Sequence, residues 1–530
     1  MFCLRRETVN AVRIIRFNRR IASSRATPCH TGHVIIKPAS AAYGASPLTR
    51  QSISHATQAR PVVLDRLFKN FLFSRKLSAM TVNFQAPKGT RDFYPSDMAV
   101  RRYIEDIWRS VSVRHGFQEV DGPTFESLDL YKVKSGDEIV SQLFSFVDRG
   151  ERDLALRPEF TPTLARMVAQ KAAGLSRPIK WFSIPRCYRA EQPQKGRLRE
   201  FIQWNVDFIG DASERADREC LAVCVDALLE FGLTASDIRI GWNHRELLTK
   251  ALCSTFVAPQ RISNAYYILD RLQKYDVQAR HALYQQQQCT ELERENFDAI
   301  AAAENSPQLL AAWMNSWPAD VRDSINAFEQ RLADNGLAEI CRFDLSVVRG
   351  LAYYTGFVFE VIDAQGQNRA IAGGGRYDKL IEMFGGPAMP AVGFGMGDVV
   401  LEILLRQRNK LPANLMPPAD VFVINALEDS AAADQLIAQL RRSQWNSEHS
   451  KIIRRGLNVQ TSYRSTRNIG KLLQEASGCG ARVAVILAAE EMNRGMMKLK
   501  NLLDRTETEI AVPDVPNRIH ALLTGSQAMV

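Results

Sequence analysis

The sequence predicts an α+β fold: an antiparallel sheet flanked by helices, interrupted by a helical insertion and followed by a smaller α/β domain. Three observations carry this. The stretch "RAEQPQKGRLREFIQWNVDF", Arg189 to Phe208, passes from a charged loop into strict alternation. Ile202, Trp204, Val206 and Phe208 fall on one strand face, and Gln203, Asn205 and Asp207 on the other. Residues from about 246 to 335 change texture, becoming helical with few β-branched side chains. Beyond the proline-bearing linker "LPANLMPPAD", the segments "VFVINA", "AAADQLIAQLRRS", "IGKLLQEASGCG" and "VAVILAAEE" alternate strand and helix.

In chain order, "PKGTRDFYPSDMAVRRYIEDIWRSVSVRHGF" opens with turn residues, places Asp97 as a helix cap, and continues with helical periodicity to about Gly116. "QEVDGPTFESLDLY" reads as a strand broken by Pro123. "LALRPEFTPTLARMVAQKAAG" ends a strand at Arg157 and Pro158 and starts a helix near Thr161, with Pro162 in its first turn. "FSIPRCYRAE" is strand-like, with Cys187, Arg189 and Glu191 on one face. It pairs with the alternating strand as a hairpin whose loop holds Lys195, Arg197 and Arg199 around Gly196. A helix follows over roughly 213–231. After the insertion, strand signals return in "VVRGLAYYTGFVFEVI", "AIAGGGRYDKLIEMFGG" and "AVGFGMGDVVLEILL". The domains expected are a basic, disordered extension (1–79), a main domain (80–417) with the helical insertion, and an α/β domain (418–530).

Charge is unevenly spread. The net +10 conceals an extension, residues 1–79, with 14 Lys/Arg against only Glu7 and Asp65. The rest of the chain has 54 basic and 56 acidic residues. Nucleic-acid contact in the body must therefore come from local patches such as the hairpin loop. The extension has the Arg- and Ser-rich composition of an organellar transit peptide. It can also be read as upstream of a start at Met80, from which a protein should fold and work normally. A cytoplasmic location follows from the second reading, a mitochondrion or plastid from the first. Nine Cys without a C-x-x-C pair favour a reducing compartment and argue against structural zinc. Cys220 and Cys224, one helical turn apart among apolar neighbours, read as helix core. No apolar run reaches the ~18 residues of a membrane helix.

Several groups bear chemistry, each with a bland alternative. The polar face of Gln203, Asn205 and Asp207 is either solvated or a ligand floor. Glu159 and Thr161 sit where a strand turns into a helix, as functional groups or as an ordinary helix-start charge. Arg349, after two Val residues in an apolar strand, needs an anionic partner, either a structural carboxylate or a ligand phosphate. "GGGRYD" (Gly373 to Asp378) and "GFGMGD" (Gly393 to Asp398) are not Walker loops. Their spacing suits strands that a flat ligand approaches closely, or else turns and bulges.

Taken together, these segments resemble the histidyl-tRNA synthetases, class II enzymes built on an antiparallel sheet, over about residues 83–525. "KGTRDFYP" is similar to the family's opening signature and "GFQEVDGPTFE" to motif 1, which forms a dimer interface. "YRAEQPQKGRLREFIQ" resembles motif 2, and "RGLAYYTG" and "GGGRYDKL" resemble two histidine-specific signatures. "VGFGMGDVVL" stands where motif 3 belongs. The resemblance implies ATP-dependent activation of L-histidine and its transfer to tRNA(His) by a homodimer, with Mg2+ on the ATP phosphates and no protein-bound metal. Arg189 would hold the α-phosphate and Glu191 the adenine side, while Gly395 and Gly397 would complete the ATP site. Glu159, Thr161, Gln203, Asp207, Tyr353, Tyr354 and Tyr377 would surround histidine. Arg349 and Arg189, the catalytic pair, would stand beside the reacting carboxylate and α-phosphate. Gln194, Lys195, Arg197 and Arg199 would meet the tRNA acceptor end, and the C-terminal domain the anticodon.

The chain departs from the family pattern at three places: Gln192 where Arg is common after the motif 2 Glu, Ala352 where many members have Asp, and Val400 where motif 3 ends in Arg. The loss at Val400 is the feature that favours a catalytically silent paralogue, such as the ATP phosphoribosyltransferase regulatory subunit. The intact Arg189, Glu191 and Arg349 set and the separate C-terminal domain favour the ligase. A tRNA-sensing, non-catalytic module is a third reading, but no effector segment accompanies it.

Overall fold

A helix of twenty residues, α1 (Pro95–Arg114), leads into the sheet. Its cap differs from the one expected at Asp97. Tyr94 occupies the cap position, and the Asp97 carboxylate reaches back to accept from its N–H at 3.1 Å. An acid in the third helical position does this well, because the first N–H groups lack partners within the helix. Val100, Ile104, Ile107, Trp108 and Val111 recur at helical spacing, and all are buried. The computed structural model describes residues 84–135, 141–272, 275–303, 307–348, 354–446 and 451–525. The extension 1–79 therefore lies outside the described residues.

The central sheet has nine strands among the described residues. They are β1 (Gln118–Glu119), β2 (Ile179–Ser183), β3 (Arg186–Tyr188), β4 (Glu200–Ile209), β5 (Ile238–His244), β6 (Cys341–Phe343), β7 (Phe357–Asp363), β8 (Ala372–Arg376) and β9 (Ala391–Gly397). Their order is β1-β2-β4-β9-β8-β7-β5-β6, with β3 paired to the start of β4. The pairs are antiparallel except at the two edges, β1 with β2 and β5 with β6. The strand expected as "FSIPRCYRAE" is split at Ile184–Pro185 into β2 and β3, so Arg189 and Glu191 lie beyond its end. Proline cannot donate to a ladder and commonly marks such a break.

The alternation in β4 does what its pattern demands. Ile202, Trp204, Val206 and Phe208 join Val392, Phe394 and Met396 of β9 in one core with α1 and the helix α3 (Glu214–Glu230). Cys220 and Cys224 of α3 are fully buried in it. Trp204 stacks on Trp108, ring centres 5.8 Å apart, and its Nε1 donates to Ser112 Oγ at 3.0 Å. Truncating either tryptophan would cost about 3–5 kcal/mol. Among the described residues the front face is covered at one end, where α2 (Thr161–Lys171) packs Phe160, Leu164 and Val168 against Ile209, Val358 and Ala391.

Residues 245–334 are mostly helical, from Arg245–Thr255 to Ala319–Asp334. Further on, β10 (Val421–Asn425), β11 (Val459–Thr461), β12 (Val483–Leu487), β13 (Met496–Asn501) and β14 (Glu507–Ala511) form a second sheet, in the order β11-β10-β12-β13-β14. The first three are parallel, which requires crossovers. The helices Ala431–Arg441 and Ile469–Gly478 bury Leu436 and Leu472 in separate cores, covering both faces. Hence all of Val483–Leu487 is buried and reads as a continuous apolar run.

Candidate active site

The uncovered part of the front face is floored by glycine. Gly373 pairs with Gly395 and Gly375 with Gly393 across β8 and β9, so the four share a face with Gln203 and Asp207 of β4. None of these glycines has a positive φ. Their role is room. A Cβ on Gly395 would come within 2.7 Å of Gln203 Nε2, and one on Gly375 within 3.0 Å of Tyr354 Cδ1. Neighbouring side chains thus lie flat over a bare floor.

One end of the floor is acidic and enclosed. Asp207 is only 3% exposed, and the Tyr377 hydroxyl donates to its carboxylate. Tyr377 reaches it because the preceding Arg376 is anchored behind the sheet, with Nε on Asp217 Oδ1 at 2.9 Å and Nη2 on the Ser213 carbonyl at 3.0 Å. Successive side chains leave opposite faces, so anchoring one aims the next. Glu159 and Thr161 stand half-buried at the start of α2. Tyr354 is buried against the same cluster.

The other end is basic. Arg189 donates from Nε to the Pro158 carbonyl at 3.2 Å, and its guanidinium lies 5.0 Å from the Phe201 ring centre. These contacts hold the group while leaving its outer nitrogens toward a cavity of about 370 Å³, lined also by Arg197, Gln203, Arg369, Gly395, Gly397 and Val400. The hairpin loop forms its roof. Gln194 and Arg197 exchange backbone hydrogen bonds at 2.9 Å around Gly196, whose φ of +76° suits glycine. Arg197 pairs with Glu191, and Arg199 donates to the Glu191 carbonyl at 3.0 Å. Gln194 and Lys195 are exposed at the tip. Behind the cavity, the helix α4 (Asp398–Gln407) begins with Asp398, which accepts from Ile202 N–H at 2.9 Å and pairs with Arg91.

Burial pushes the Cys187 thiol up to about 12, so the thiolate required of a nucleophile is scarce at neutral pH. What the cleft offers is hydrogen-bond acceptors for a cationic or N–H-bearing group at one end and guanidinium groups for an anion at the other.

A family model described as histidyl-tRNA synthetase matches residues 89–398. A histidine–tRNA ligase of Opitutus terrae is 39% identical over 440 residues, covering 81% of this chain and 96% of the relative. The chain belongs to the histidyl-tRNA synthetase family. A chloroplastic/mitochondrial histidine–tRNA ligase of Arabidopsis thaliana is 36% identical, over 69% of this chain and 77% of its own. The solved histidyl-tRNA synthetase of Nostoc sp. PCC 7120 shares the fold, with a TM-score of 0.63 at 24% identity, over 83% of this chain and 99% of that one. So does a Bacillus halodurans protein titled as an ATP phosphoribosyltransferase regulatory subunit/histidyl-tRNA synthetase, with a TM-score of 0.59 at 20% identity, over 77% of this chain and 99% of that one.

Against this family background, the fold brings together Arg189, Gln203, Gly395 and Gly397 around one cavity, with Asp207, Tyr354 and Tyr377 at the acidic end of the same glycine floor, while Glu159 and Thr161 stand half-buried at the start of α2. Arg349 and Tyr353 lie outside the described residues. The apolar strand expected before Arg349 is instead a turn, in which Val347 N–H donates to the Asp344 carbonyl at 3.2 Å. Glu191 and Arg197, expected to meet separate ligands, are paired with each other. Val400 is 7% exposed and sits beneath the loop tip, where a Cβ on Gly196 would stand 3.2 Å from its Cγ2. An arginine in its place would have to share the space between that loop and the cavity that Val400 lines. Sequence reasoning missed Arg369, which lies in no motif and carries no spacing signal.

Proposed function

We propose that this chain is a histidine–tRNA ligase. It joins the carboxylate of L-histidine to the α-phosphorus of ATP, expelling diphosphate, and then passes the histidyl group from the adenylate to a ribose hydroxyl of tRNA(His), releasing AMP. The observation that carries the reading is the two-ended cleft, acidic around Asp207 and basic around Arg189, on a floor stripped to glycine. The names of the relatives at 34–39% identity agree with it, whereas the silent-paralogue reading rests on Val400 and a fold-level likeness.

Within this reading Asp207, Glu159 and Gln203 accept from the ammonium and imidazole N–H groups of histidine, with Thr161, Tyr353, Tyr354 and Tyr377 shaping the pocket. Asp207 is held for this by the Tyr377 hydroxyl. Arg189, fixed by Pro158 and Phe201 before substrate arrives, and Arg349 stabilise the charge that grows on the pentacovalent phosphorus. Such preorganised charge needs no general base and supplies roughly 10²–10³ in rate per contact. Glu191 and the glycine floor at Gly395 and Gly397 receive the adenosine part. Mg2+ would ride on the ATP phosphates, whose remaining oxygens match the arginine lining. Gln194, Lys195, Arg197 and Arg199 meet the acceptor end of tRNA, and residues 418–530 the anticodon. The chain acts as a homodimer in the cytoplasm, or in a mitochondrion or plastid if residues 1–79 are a transit peptide. No helix among the described residues is long and apolar enough to cross a membrane.

The test is histidine-dependent ATP–pyrophosphate exchange, followed by charging of tRNA(His). Exchange with histidine and with no other amino acid is expected. Its absence in folded protein would overturn the reading.

A further inference from the structure

The basic end of the cleft holds an arginine whose charge is unspent. Arg369 lies just ahead of β8 and lines the cavity with Arg189 and Arg197. Its aliphatic stem runs beneath the loop tip, where a Cβ on Gly196 would stand 3.8 Å from Arg369 Cδ. Its Nη1 donates to Gln194 Oε1 at 3.2 Å, a neutral and exposed acceptor. Among the described residues no carboxylate pairs with it, whereas Arg197 is matched by Glu191 and Arg376 by Asp217. A cation placed in a cleft with only a neutral partner is a candidate anion ligand.

Position decides which anion. Asp207 and Arg369 mark opposite ends of the floor. Gly393 is paired with Asp207, while Gly397, at the far end of β9, donates to the Ile371 carbonyl beside Arg369 at 3.3 Å. Across the sheet, β4 and β8 are separated by one strand, so their backbones lie about 10 Å apart. A ligand whose reacting phosphorus sits near Arg189, with its adenosine part on the glycine floor, would turn its remaining anionic groups within the same cavity toward Arg369. Val400 gives that corner an apolar support and no charge, so the cation there comes from the strand side.

We propose that Arg369 binds the terminal phosphates of ATP, the part that departs as diphosphate. This rests on the ligase reading above. A planar guanidinium can hold two phosphate oxygens at once and keeps its charge at any working pH. Holding the leaving group there would help orient the phosphorus for in-line attack.

Arg369→Ala, Arg369→Gln and Arg369→Lys in the full chain test this by histidine-dependent exchange, with KM measured for ATP, pyrophosphate and histidine and with inhibition by AMP. AMP lacks the terminal phosphates and serves as the internal control. Loss of a charged hydrogen bond to phosphate is expected to raise KM for ATP and pyrophosphate roughly 10-fold or more in the Ala and Gln variants, and less in the Lys variant. The histidine KM and AMP inhibition should not move. Unchanged KM for ATP and pyrophosphate would overturn the proposal. So would wild-type values with Gln, which would assign Arg369 to the hydrogen bond with Gln194, or AMP inhibition weakened in parallel. Absence of exchange in the unsubstituted protein would remove the ligase reading itself, which normal exchange with an indifferent Arg369 would leave standing.

Discussion

Gly393 stands directly across the ladder from Asp207, and a Cβ at that glycine would come within 2.3 Å of the Asp207 carboxylate. The acidic end of the cleft therefore depends on a missing methyl group as much as on the carboxylate itself. Gly393→Ala is expected to push Asp207 aside and raise the KM for histidine far more than that for ATP. Gly397→Ala, whose Cβ would meet nothing within 4 Å, should leave the melting temperature unchanged. Equal thermal destabilisation by the two substitutions would show that the floor is not shaped in this way.

Tyr377→Phe removes the hydroxyl that donates to Asp207 while keeping the buried ring. Leaving a buried carboxylate short of a donor costs about 1–3 kcal/mol. The expected outcome is a raised histidine KM with little change in the KM for ATP, read from exchange kinetics. A shift confined to ATP would place Tyr377 at the wrong end of the cleft.

Arg349 and Val400 should respond in opposite ways. Arg349→Ala is expected to collapse the exchange rate by roughly 10²–10³ with at most a modest change in the KM for ATP. Arg349→Lys should recover little, since a point charge cannot reproduce a planar fork. Val400→Arg should be neutral or harmful, because the side chain is buried against the loop tip at Gly196. Strongly raised turnover in Val400→Arg, together with an indifferent Arg349→Ala, would reverse the catalytic assignment.

Behind the floor, Arg376 and Asp217 have side chains only 7% and 5% exposed. Burial lifts the Asp217 carboxyl to about 6 even with Arg376 beside it. Arg376→Ala would strand that acid and is expected to cost about 3–5 kcal/mol in urea unfolding. The double variant Arg376→Met with Asp217→Leu should cost much less. Additive losses in that cycle would argue that the two residues act separately.

A pH dependence of stability follows from His115, whose Nδ1 lies 3.3 Å from Glu219 and whose Nε2 lies 2.9 Å from Asp226. Both ring nitrogens face carboxylates, chiefly Glu219 by its hydrogen bond, and this raises the imidazole above its ordinary value. The same pairing, His115 first, holds Glu219 down to about 2. Stability from a raised histidine is fully present below its unfolded value and is lost as pH rises through the folded one. His115→Gln should therefore lower the melting temperature more near pH ~5.5 than near pH ~9. The Glu219 contribution runs the other way, present at neutral pH and lost only as pH falls toward about 2. An equal effect of His115→Gln at both pH values would mean that the imidazolium pairs are not stabilising.

The order of elements, the split between polar and apolar faces of β4, and some of the cavity-lining residues, Arg189, Arg197, Gln203, Gly395 and Gly397, were legible in the sequence. The physical reason is that period-two alternation, helix-start prolines and glycine-rich strands are local signals, readable wherever one face of an element must be buried. Gln203 and Asp207 announced themselves as polar residues in an otherwise apolar strand. Other features depend on residues brought together across long stretches of chain, and only the tertiary structure decided them. Gly393 meets Asp207 from 186 residues away, Tyr377 reaches Asp207 over |i−j| = 170, and Asp398 ties Arg91 to the start of β4 over |i−j| = 307. Pairings such as Glu191 with Arg197 followed from a loop geometry that spacing alone left open. Arg369 had no signal at all, because an arginine in a loop is indistinguishable from any solvated charge until the fold sets it at the mouth of a cavity.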